Sequence, residues 1–327
     1  MNYIRLIRPV NLLIILLTMY LFRLCIVVAS PYKLFYIRHF LSDPEFFLLV
    51  LVSLFIAAGG YVINDIFDTD IDAINRPEKV LIGNAIPEAS AYNLYKILCA
   101  AGMTGALILA FMTKNYRLSA IPVIIMVILN FYAHTFKKQL IVGNLMISIC
   151  SGFTILLIAL FETGDNNQNT TPDESYVQSG IAIAGIVYGL FAFLTTFLRE
   201  IIKDIEDIKG DEQHGCKTIP IVFGVKGAKI SALVICLILF IMLGSFSWFF
   251  PTIQLKIVSY FIVFGLIFPL LAIIFFLFKA IKPVNYHFIS NLVKVFMCLG
   301  ITSMLYFRTG IGPYIFVQYV NFLKKLF

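Results

Sequence analysis

Long apolar runs recur along the whole of this 327-residue chain, and they restrict its fold more than any other feature. Each run has about 16 to 23 residues, close to the length that an α-helix needs to cross the hydrocarbon core of a bilayer. Within that core every backbone N–H and C=O needs an internal partner, which a helix provides. The sequence therefore predicts an all-α, polytopic membrane bundle that forms a single integral-membrane domain over residues 1–327. Its nine expected spans are 10–29, 47–63, 93–112, 118–136, 140–161, 179–198, 229–250, 256–278 and 287–307.

Composition and charge support a membrane protein and indicate its orientation. Charged residues make up 13% of the chain against 60% hydrophobic residues, which excludes an ordinary soluble domain. The net charge is +7, but the basic residues do not cluster on a soluble segment, so we expect no nucleic-acid partner. Lys and Arg are more frequent in the segments that lie inside if the N-terminus is inside. We therefore expect a multi-pass protein of the cell membrane with a cytoplasmic N-terminus, an outer loop at Glu162–Gln178 and an interfacial tail at 314–327.

Cysteine and histidine give no sign of a disulfide framework or a zinc site. The six cysteines include no CxxC pair, and the four histidines have no metal-binding spacing. We expect these cysteines to be small buried hydrophobic residues and do not expect the histidines to be metal ligands.

One acidic pattern occurs twice, at the ends of the second and sixth runs. Its aspartates recur at i, i+3 and i+7: Asp65, Asp68 and Asp72, and again, 139 positions later, Asp204, Asp207 and Asp211. On a continuous helix these positions lie within an arc of about 60°, whereas Asp70 and Glu206 point elsewhere. Counting spans places both run ends on the same side of the membrane. We predict that the two motifs extend their helices and face one site.

The residue types in this region point to a metal–diphosphate site. Carboxylates at the end of an apolar run are costly unless a cation binds them. Hard oxygen ligands suit Mg²⁺, which takes one or two carboxylates and completes its shell with water and substrate phosphate. We predict that all six aspartates are catalytic and that Asp65, Asp68, Asp204 and Asp207 are the metal ligands. The candidate diphosphate-binding residues are Asn64, Arg76, Lys137, Lys138, Arg199, Lys203 and Lys294.

Three charged residues near these motifs need separate interpretations. Glu200 precedes Asp204 by one helical turn and is a candidate further ligand or supporting group. Lys294 lies inside the ninth run, and a charge at membrane depth is a functional hypothesis, with snorkelling as the alternative. Arg23 lies near the outer end of the first run, where we expect it to snorkel.

At these residues the chain resembles the UbiA superfamily of intramembrane prenyltransferases. The matching stretches are Gly60 to Asp72, Asn75-Arg76-Pro77, Tyr132, Lys137, Gly143-Asn144, Arg199 to Asp211 and Thr218-Ile-Pro220. The resemblance implies a nine-span enzyme that uses Mg²⁺ and a polyprenyl diphosphate donor, with a lipid or aromatic acceptor, among membrane lipids. The second motif looks most like members that make archaeal-type ether lipids, the geranylgeranylglycerol-phosphate geranylgeranyltransferases. That likeness implies a geranylgeranyl donor and geranylgeranylglyceryl phosphate as acceptor.

Three alternatives remain open. Quinone-pathway members, which prenylate aromatic acceptors, share much of the second motif. A membrane cation transporter also carries carboxylates on its helices, although its site is expected near the midplane. A CDP-alcohol phosphotransferase also uses aspartates and Mg²⁺, but its Asp-Gly-x-x-Ala-Arg signature is absent. Release of pyrophosphate from a prenyl diphosphate distinguishes a prenyltransferase from the last two.

Overall fold

The protein is mostly helical over the part of the chain that a computed structural model describes, namely residues 2–28, 41–163, 172–253, 255–308 and 312–326. The helices are α1 (Asn2–Leu6), α2 (Pro9–Phe22), α3 (Asp43–Phe67), α4 (Thr69–Asn75), α5 (Glu88–Thr113), α6 (Tyr116–His134), α7 (Val142–Thr163), α8 (Pro172–Glu206), α9 (Ile208–Gln213), α10 (Ile219–Thr252), α11 (Lys256–Phe261), α12 (Phe268–Lys279), α13 (Pro283–Thr302) and α14 (Gly312–Leu326). Short π-helical segments extend α2 and join α11 to α12, at Arg23–Val27 and Ile262–Ile267.

Nine of the described helices are long and apolar enough to cross a membrane. They are α2 with its π-helical extension, α3, α5, α6, α7, α8, α10, the joined α11 and α12, and α13 with the 3₁₀ turn Ser303–Phe307. This result confirms the predicted all-α bundle. Most of these helices are longer than the predicted apolar runs, since a helix can continue past the bilayer into polar sequence. Helix α3, for example, begins at Asp43, where Ser42 and Glu45 form a capping box.

Contacts divide the chain into two compact units, which we describe separately. The first comprises Met1–Leu17, Leu41–Cys150 and Asp207–Gly227, and the second comprises Thr18–Phe40, Ser151–Glu206 and Ala228–Phe327. The expectation of a single domain over residues 1–327 stays a prediction.

The first unit is built on α3, which packs against α5 and α6. Glycine permits a close approach: a Cβ on Gly105 of α5 would lie 2.6 Å from a methyl carbon of Val52 on α3. Gly60 of α3 meets Leu129 of α6 in the same way, with a Cβ distance of 2.9 Å. Small residues that let backbones approach are typical of helix packing inside membranes. This packing fixes the end of α3, where the first acidic motif begins.

The second unit is built on α8, which packs against α13 and α14. Helices α8 and α13 run antiparallel, since Tyr188 bonds Ser303 at 2.9 Å while Glu206 contacts His287 at 2.9 Å. Helix α14 is more than the interfacial tail expected from the sequence. Its Phe316 is 2% exposed, and Tyr319 stacks on Phe246 with ring centroids 4.0 Å apart. An aromatic-rich amphipathic segment can pack against protein as well as against a membrane surface, so the sequence did not distinguish these two placements.

The sequence predicts an outer loop at Glu162–Gln178, and this prediction is wrong at both ends of the segment. Helix α7 continues to Thr163, α8 already begins at Pro172, and residues 164–171 lie outside the described part of the chain. Glu162 is buried and accepts a hydrogen bond from Arg23 at 2.8 Å. Arg23 therefore pairs inside the second unit instead of snorkelling, because a carboxylate 139 positions away offers its charge a buried partner.

Candidate active site at the paired acidic motifs

Both acidic motifs change helix at their middle aspartate. Asp68 (φ −93°, ψ −2°) separates α3 from α4, and Asp207 (φ −96°, ψ 6°) precedes α9. This sparsely populated backbone region is one where active-site residues occur. The expectation that each triad occupies one uninterrupted helix face is therefore wrong. The third aspartates, Asp72 and Asp211, lie on separate short helices, although the amide of Asp72 still bonds the carbonyl of Asp68 at 2.7 Å.

In the first unit, basic side chains pair with three of the motif carboxylates. Arg8 pairs with Asp65, Lys137 pairs with the buried Asp68, and Arg76 pairs with Asp207 at 2.7 Å. Asn64 also donates to Asp68, at 2.5 Å. The unit thus brings together residues from four distant segments of the chain.

Arg8 is a site residue that the sequence analysis did not single out. Its guanidinium lies 5.2 Å from the centre of the Tyr61 ring, and its backbone has a positive φ of 53°, which is uncommon for a residue other than glycine. Burial alone would lower the pKa of Arg8, but the charge of Asp65 raises it above its ordinary value. In sequence, Arg8 looks like an ordinary positive charge at the start of a span.

Lys137 and Lys138 are adjacent in sequence but differ in environment. Burial would lower the pKa of Lys137, yet the neighbouring Asp68 raises it above that of an ordinary lysine. The side chain of Lys138 is exposed, and its carbonyl accepts a hydrogen bond from the amide of Lys217 at 2.8 Å. Gly143 lets this turn pack closely, because a Cβ there would lie 2.9 Å from the carbonyl oxygen of Phe136. Lys137 therefore lies against a motif carboxylate, whereas Lys138 is exposed one position away.

Asn75 joins the short helices that follow the two motifs. Its side-chain oxygen accepts from the amide of Gly210 at 2.8 Å, and its side-chain nitrogen donates to the carbonyl of Asp207 at 3.0 Å. A Cβ on Gly210 would lie 2.5 Å from that nitrogen, so only glycine fits.

Burial, followed by the charge of the buried Asp211, raises the pKa of the Cys216 thiol. This thiol is therefore protonated at neutral pH.

The second unit holds the other polar residues of the second motif. Arg199 donates to Glu200 at 3.1 Å, and Lys203 lies 4.0 Å from the second oxygen of Glu200. Glu200 thus supports two basic residues, whereas Asp204 is half-buried on the last turn of α8. His287 contacts Glu206 at 2.9 Å, although no sequence motif includes His287. The feature of the sequence that could have indicated this contact is Glu206, a carboxylate that does not lie on the helix face predicted for the three aspartates of the motif.

The donor set suits Mg²⁺ better than a metal that needs a cage of protein ligands. Among the described residues, no three His, Cys, Asp or Glu side chains are close enough to hold a metal ion by themselves. Mg²⁺ commonly takes one or two carboxylates and completes its shell with water and phosphate oxygens. Asp65, Asp68 and Asp207 offer hard oxygen atoms, and each is already charge-compensated by a base.

Two acidic motifs at the ends of membrane-spanning helices, with basic side chains beside three of their carboxylates, fit a membrane enzyme that acts on a diphosphate. The chain belongs to the UbiA prenyltransferase family, whose model matches residues 24–285. It is a prenyltransferase with the UbiA fold.

Comparison with individual proteins narrows the similarity. The chain is 31% identical to digeranylgeranylglyceryl phosphate synthase of Sulfurisphaera tokodaii over 66% of this chain and 68% of that protein. A solved structure described as digeranylgeranylglyceryl phosphate synthase in membranes aligns with a TM-score of 0.59 and 22% identity, covering 94% of this chain and 98% of its own. A UbiA homologue from Archaeoglobus fulgidus, bound to GPP and Mg²⁺, aligns with a TM-score of 0.55 and 19% identity, covering 93% and 100%.

Proposed function

We propose that this protein transfers a geranylgeranyl group from its diphosphate to geranylgeranylglyceryl phosphate, in a reaction that depends on Mg²⁺. The single observation that carries the assignment is the pairing of the motif carboxylates with Arg8, Arg76 and Lys137. Such a site offers oxygen ligands for a metal and positive charges for a diphosphate in one place. The similarity to named synthases supports the lipid acceptor.

The metal is assigned to the carboxylates of the first unit. Asp65, Asp68 and Asp207 are the proposed Mg²⁺ ligands, with Asn64 orienting Asp68. When bound, Mg²⁺ neutralises the charge that develops on the departing diphosphate. Asp204 stays a ligand predicted from the sequence pattern.

The basic side chains bind the diphosphate of the donor in this proposal. Arg8, Arg76 and Lys137 exchange their aspartates for phosphate oxygens when the donor binds, so each charge has a partner before and after binding. Positive groups that are already in place stabilise the negative charge as the allylic C–O bond breaks. The acceptor hydroxyl oxygen then forms the new bond to the allylic carbon and loses its proton. Pyrophosphate and a second ether linkage are the products.

Arg199, Lys203 and Lys294 belong to the second unit. The sequence predicts that all three bind the donor diphosphate. Glu200 holds Arg199 and Lys203 near each other, which supports an anion-binding role.

We also propose that the motif end of the first unit faces the cytoplasm. Arg8 at the start of α2, Asp65 near the end of α3 and Lys137 after α6 meet at one end of that unit. Basic residues in short loops favour the cytoplasmic side. The N-terminus is then cytoplasmic and the enzyme lies in the cell membrane.

A direct assay tests the activity. Purified protein is incubated with geranylgeranyl diphosphate and one acceptor at a time: 3-O-geranylgeranylglyceryl phosphate, 4-hydroxybenzoate or a dihydroxynaphthoate. We expect pyrophosphate release and a product with the mass of the double ether with the first acceptor only, and no turnover after chelation of Mg²⁺ by EDTA.

Other results would contradict parts of this proposal. Prenylation of an aromatic acceptor alone would overturn the acceptor but not the transferase. Undiminished turnover after complete chelation would overturn the metal. The variant Asp68→Ala is the negative control for background hydrolysis of the donor.

A further inference from the structure

The turn between α12 and α13 lies at a boundary of the bilayer. One membrane-spanning helix ends at Lys279 and the next begins at Pro283, so only residues 280–282 connect them. Three residues reach about 10 Å at full extension, and the polar layer on each side of the hydrocarbon core is roughly 5 to 8 Å thick. Helix α12 is also apolar up to Phe278. The two spans therefore hold this turn at the level of the lipid headgroups.

Hydrogen bonds hold the backbone of the turn in one conformation. The carbonyl of Ala280 accepts from Nζ of Lys229 on α10 at 2.6 Å. The side-chain oxygen of Asn285 accepts from the amides of Ile281 and Lys282 at 3.3 Å and 2.9 Å. These bonds satisfy polar groups of the turn from within the second unit. The exposed side chains of the turn are therefore presented by a fixed backbone.

Those exposed side chains combine apolar surface with positive charge. Ile281 is 85% exposed and Val284 is 76% exposed. Lys279 and Lys282 lie beside them in the sequence and are exposed as well. This combination suits a bilayer surface, because apolar side chains enter the acyl region while lysine amines stay at the level of the phosphates.

Positive charge predominates in the part of the sequence that contains this turn. Every aspartate and glutamate of the chain lies at or before Glu212, whereas lysine continues to Lys325. Helices α10 to α13 therefore contribute no carboxylate of their own that could neutralise Lys279 or Lys282. Anions within the headgroup layer are lipid phosphates, and each lysine near an anionic bilayer surface strengthens the attraction by about fivefold.

We propose that residues 279–284, the α12–α13 turn, form a binding surface for the headgroups of anionic membrane lipids. Ile281 and Val284 insert beside the acyl chains, and Lys279 and Lys282 contact the lipid phosphates. The ligand comes from the surrounding bilayer and not from dissolved phosphate. Such a surface selects the lipids around this end of the second unit, whichever acceptor the enzyme prenylates.

Fluorescence quenching by brominated lipids tests this surface. The chain has one tryptophan, Trp248, so the variant Trp248→Phe/Ile281→Trp carries a single fluorophore in the turn. This reporter protein is reconstituted into phosphatidylcholine bilayers that contain brominated phosphatidylglycerol or brominated phosphatidylcholine, and quenching gives the relative binding constant of the two lipids. We expect phosphatidylglycerol to be preferred, and Lys279→Met/Lys282→Met in the reporter to reduce the preference by about fivefold for each lysine. Lys279→Arg/Lys282→Arg, which keeps both charges, should retain it.

Lys256→Met in the reporter is the matched control, because Lys256 is an exposed lysine at the start of α11, beyond the far end of α10. It should leave the preference unchanged, and so should inorganic phosphate compared with chloride at the same ionic strength. Equal quenching by the two lipids, or a preference that survives the loss of both lysines, would overturn the proposal. Displacement of phosphatidylglycerol by inorganic phosphate would also overturn it, since the ligand would then be a free anion.

Discussion

At the scale of single residues, Asp68 carries the most interactions of the candidate site. It is 4% exposed, accepts from Asn64, pairs with Lys137 and occupies the helix change in the middle of its motif. Burying a carboxylate costs free energy unless a cation pairs with it. Asp68 therefore offers a metal carboxylate oxygens that already lie beside a basic side chain.

Removal of Asp68 should abolish most activity. By analogy with the loss of one group that stabilises transition-state charge, Asp68→Ala should reduce the rate by about 10² to 10³. Asp65→Ala and Asp207→Ala should behave alike, whereas Asp70→Ala should be nearly silent because Asp70 is exposed. Single-turnover measurements on protein that elutes normally from size exclusion check this. Full activity of folded Asp68→Ala would contradict the metal site.

Substitutions of the adjacent residues Lys137 and Lys138 should have clearly different effects on donor binding. Lys137→Met removes the partner of Asp68 and a proposed diphosphate contact, so the KM for the prenyl diphosphate should rise roughly tenfold to hundredfold. Lys138→Met, which removes an exposed charge one position away, should leave the donor KM within about twofold. Because the pKa of Lys137 is raised, its charge is present through the neutral range and lost only at strongly alkaline pH. Steady-state kinetics with varied donor decide the matter, and equal effects of the two variants would contradict the assignment.

The sequence predicted part of this site because part of it is periodic. The spacing of the aspartates predicts a site for Asp65 and Asp68 and not for Asp70, and in the structure Asp65 and Asp68 pair with basic side chains while Asp70 is exposed. Arg8 and His287 had no such signal. Each acquires its role from a carboxylate far away in sequence, at Asp65 and Glu206, and a pairing of that kind has no local pattern.

At the scale of helices, the contact between α4 and α9 fixes Asp207 and Asp211 of the second motif within the first unit. Gly210→Ala should disrupt it, because the new Cβ would collide with Asn75 and with the carbonyl of Ile71 at 2.8 Å. We expect a higher Mg²⁺ concentration for half-maximal activity and a loss of about 1–3 kcal/mol in stability, as for other overpacked sites. Gly244→Ala is the control, since a Cβ there meets no atom within 4 Å. A Mg²⁺ titration of activity checks the first expectation, and an unchanged Mg²⁺ requirement in Gly210→Ala would show that this contact does not position Asp207.

The buried pair of Arg23 and Glu162 ties the end of α2 to the end of α7 within the second unit. Glu162→Leu leaves an uncompensated charge in an apolar environment and should cost about 3–5 kcal/mol. The double variant Arg23→Met/Glu162→Leu removes both charges and should recover most of that loss. Thermal denaturation in detergent measures both. If the double variant is less stable than the single one, the pair is held for a reason other than charge compensation.

Helix limits show where sequence reasoning failed at this scale. Apolar runs predicted the nine spans because the bilayer requires them, but the polar ends of α7 and α8 extend into the segment predicted to be a loop. Polar composition reports exposure to water and does not exclude a helix. The middle aspartates, likewise, interrupt helices that their spacing alone predicts to be continuous.

At the scale of the whole molecule, orientation in the membrane is the property that connects the site to its substrates. The proposed cytoplasmic side carries Lys138 and Glu212, both exposed, and Lys114 at the opposite end of α5 from Glu88 is exposed at the proposed outer side. Because α5 crosses once, Lys114 and the motif end of the first unit should react differently with a reagent that cannot cross the membrane.

Cysteine labelling tests this orientation after replacement of the six native cysteines, all of which are free thiols. In intact cells an impermeant maleimide should label Lys114→Cys, whereas Lys138→Cys and Glu212→Cys should react only after permeabilisation. The reason is the excess of basic residues on the motif side, which favours retention in the cytoplasm. Each variant is its own control, since permeabilised cells show that its thiol is reactive. Labelling of Glu212→Cys from outside would place the motifs on the outer face, away from donors supplied by cytoplasmic metabolism, and would overturn both the orientation and the supply of substrate that the proposed reaction requires.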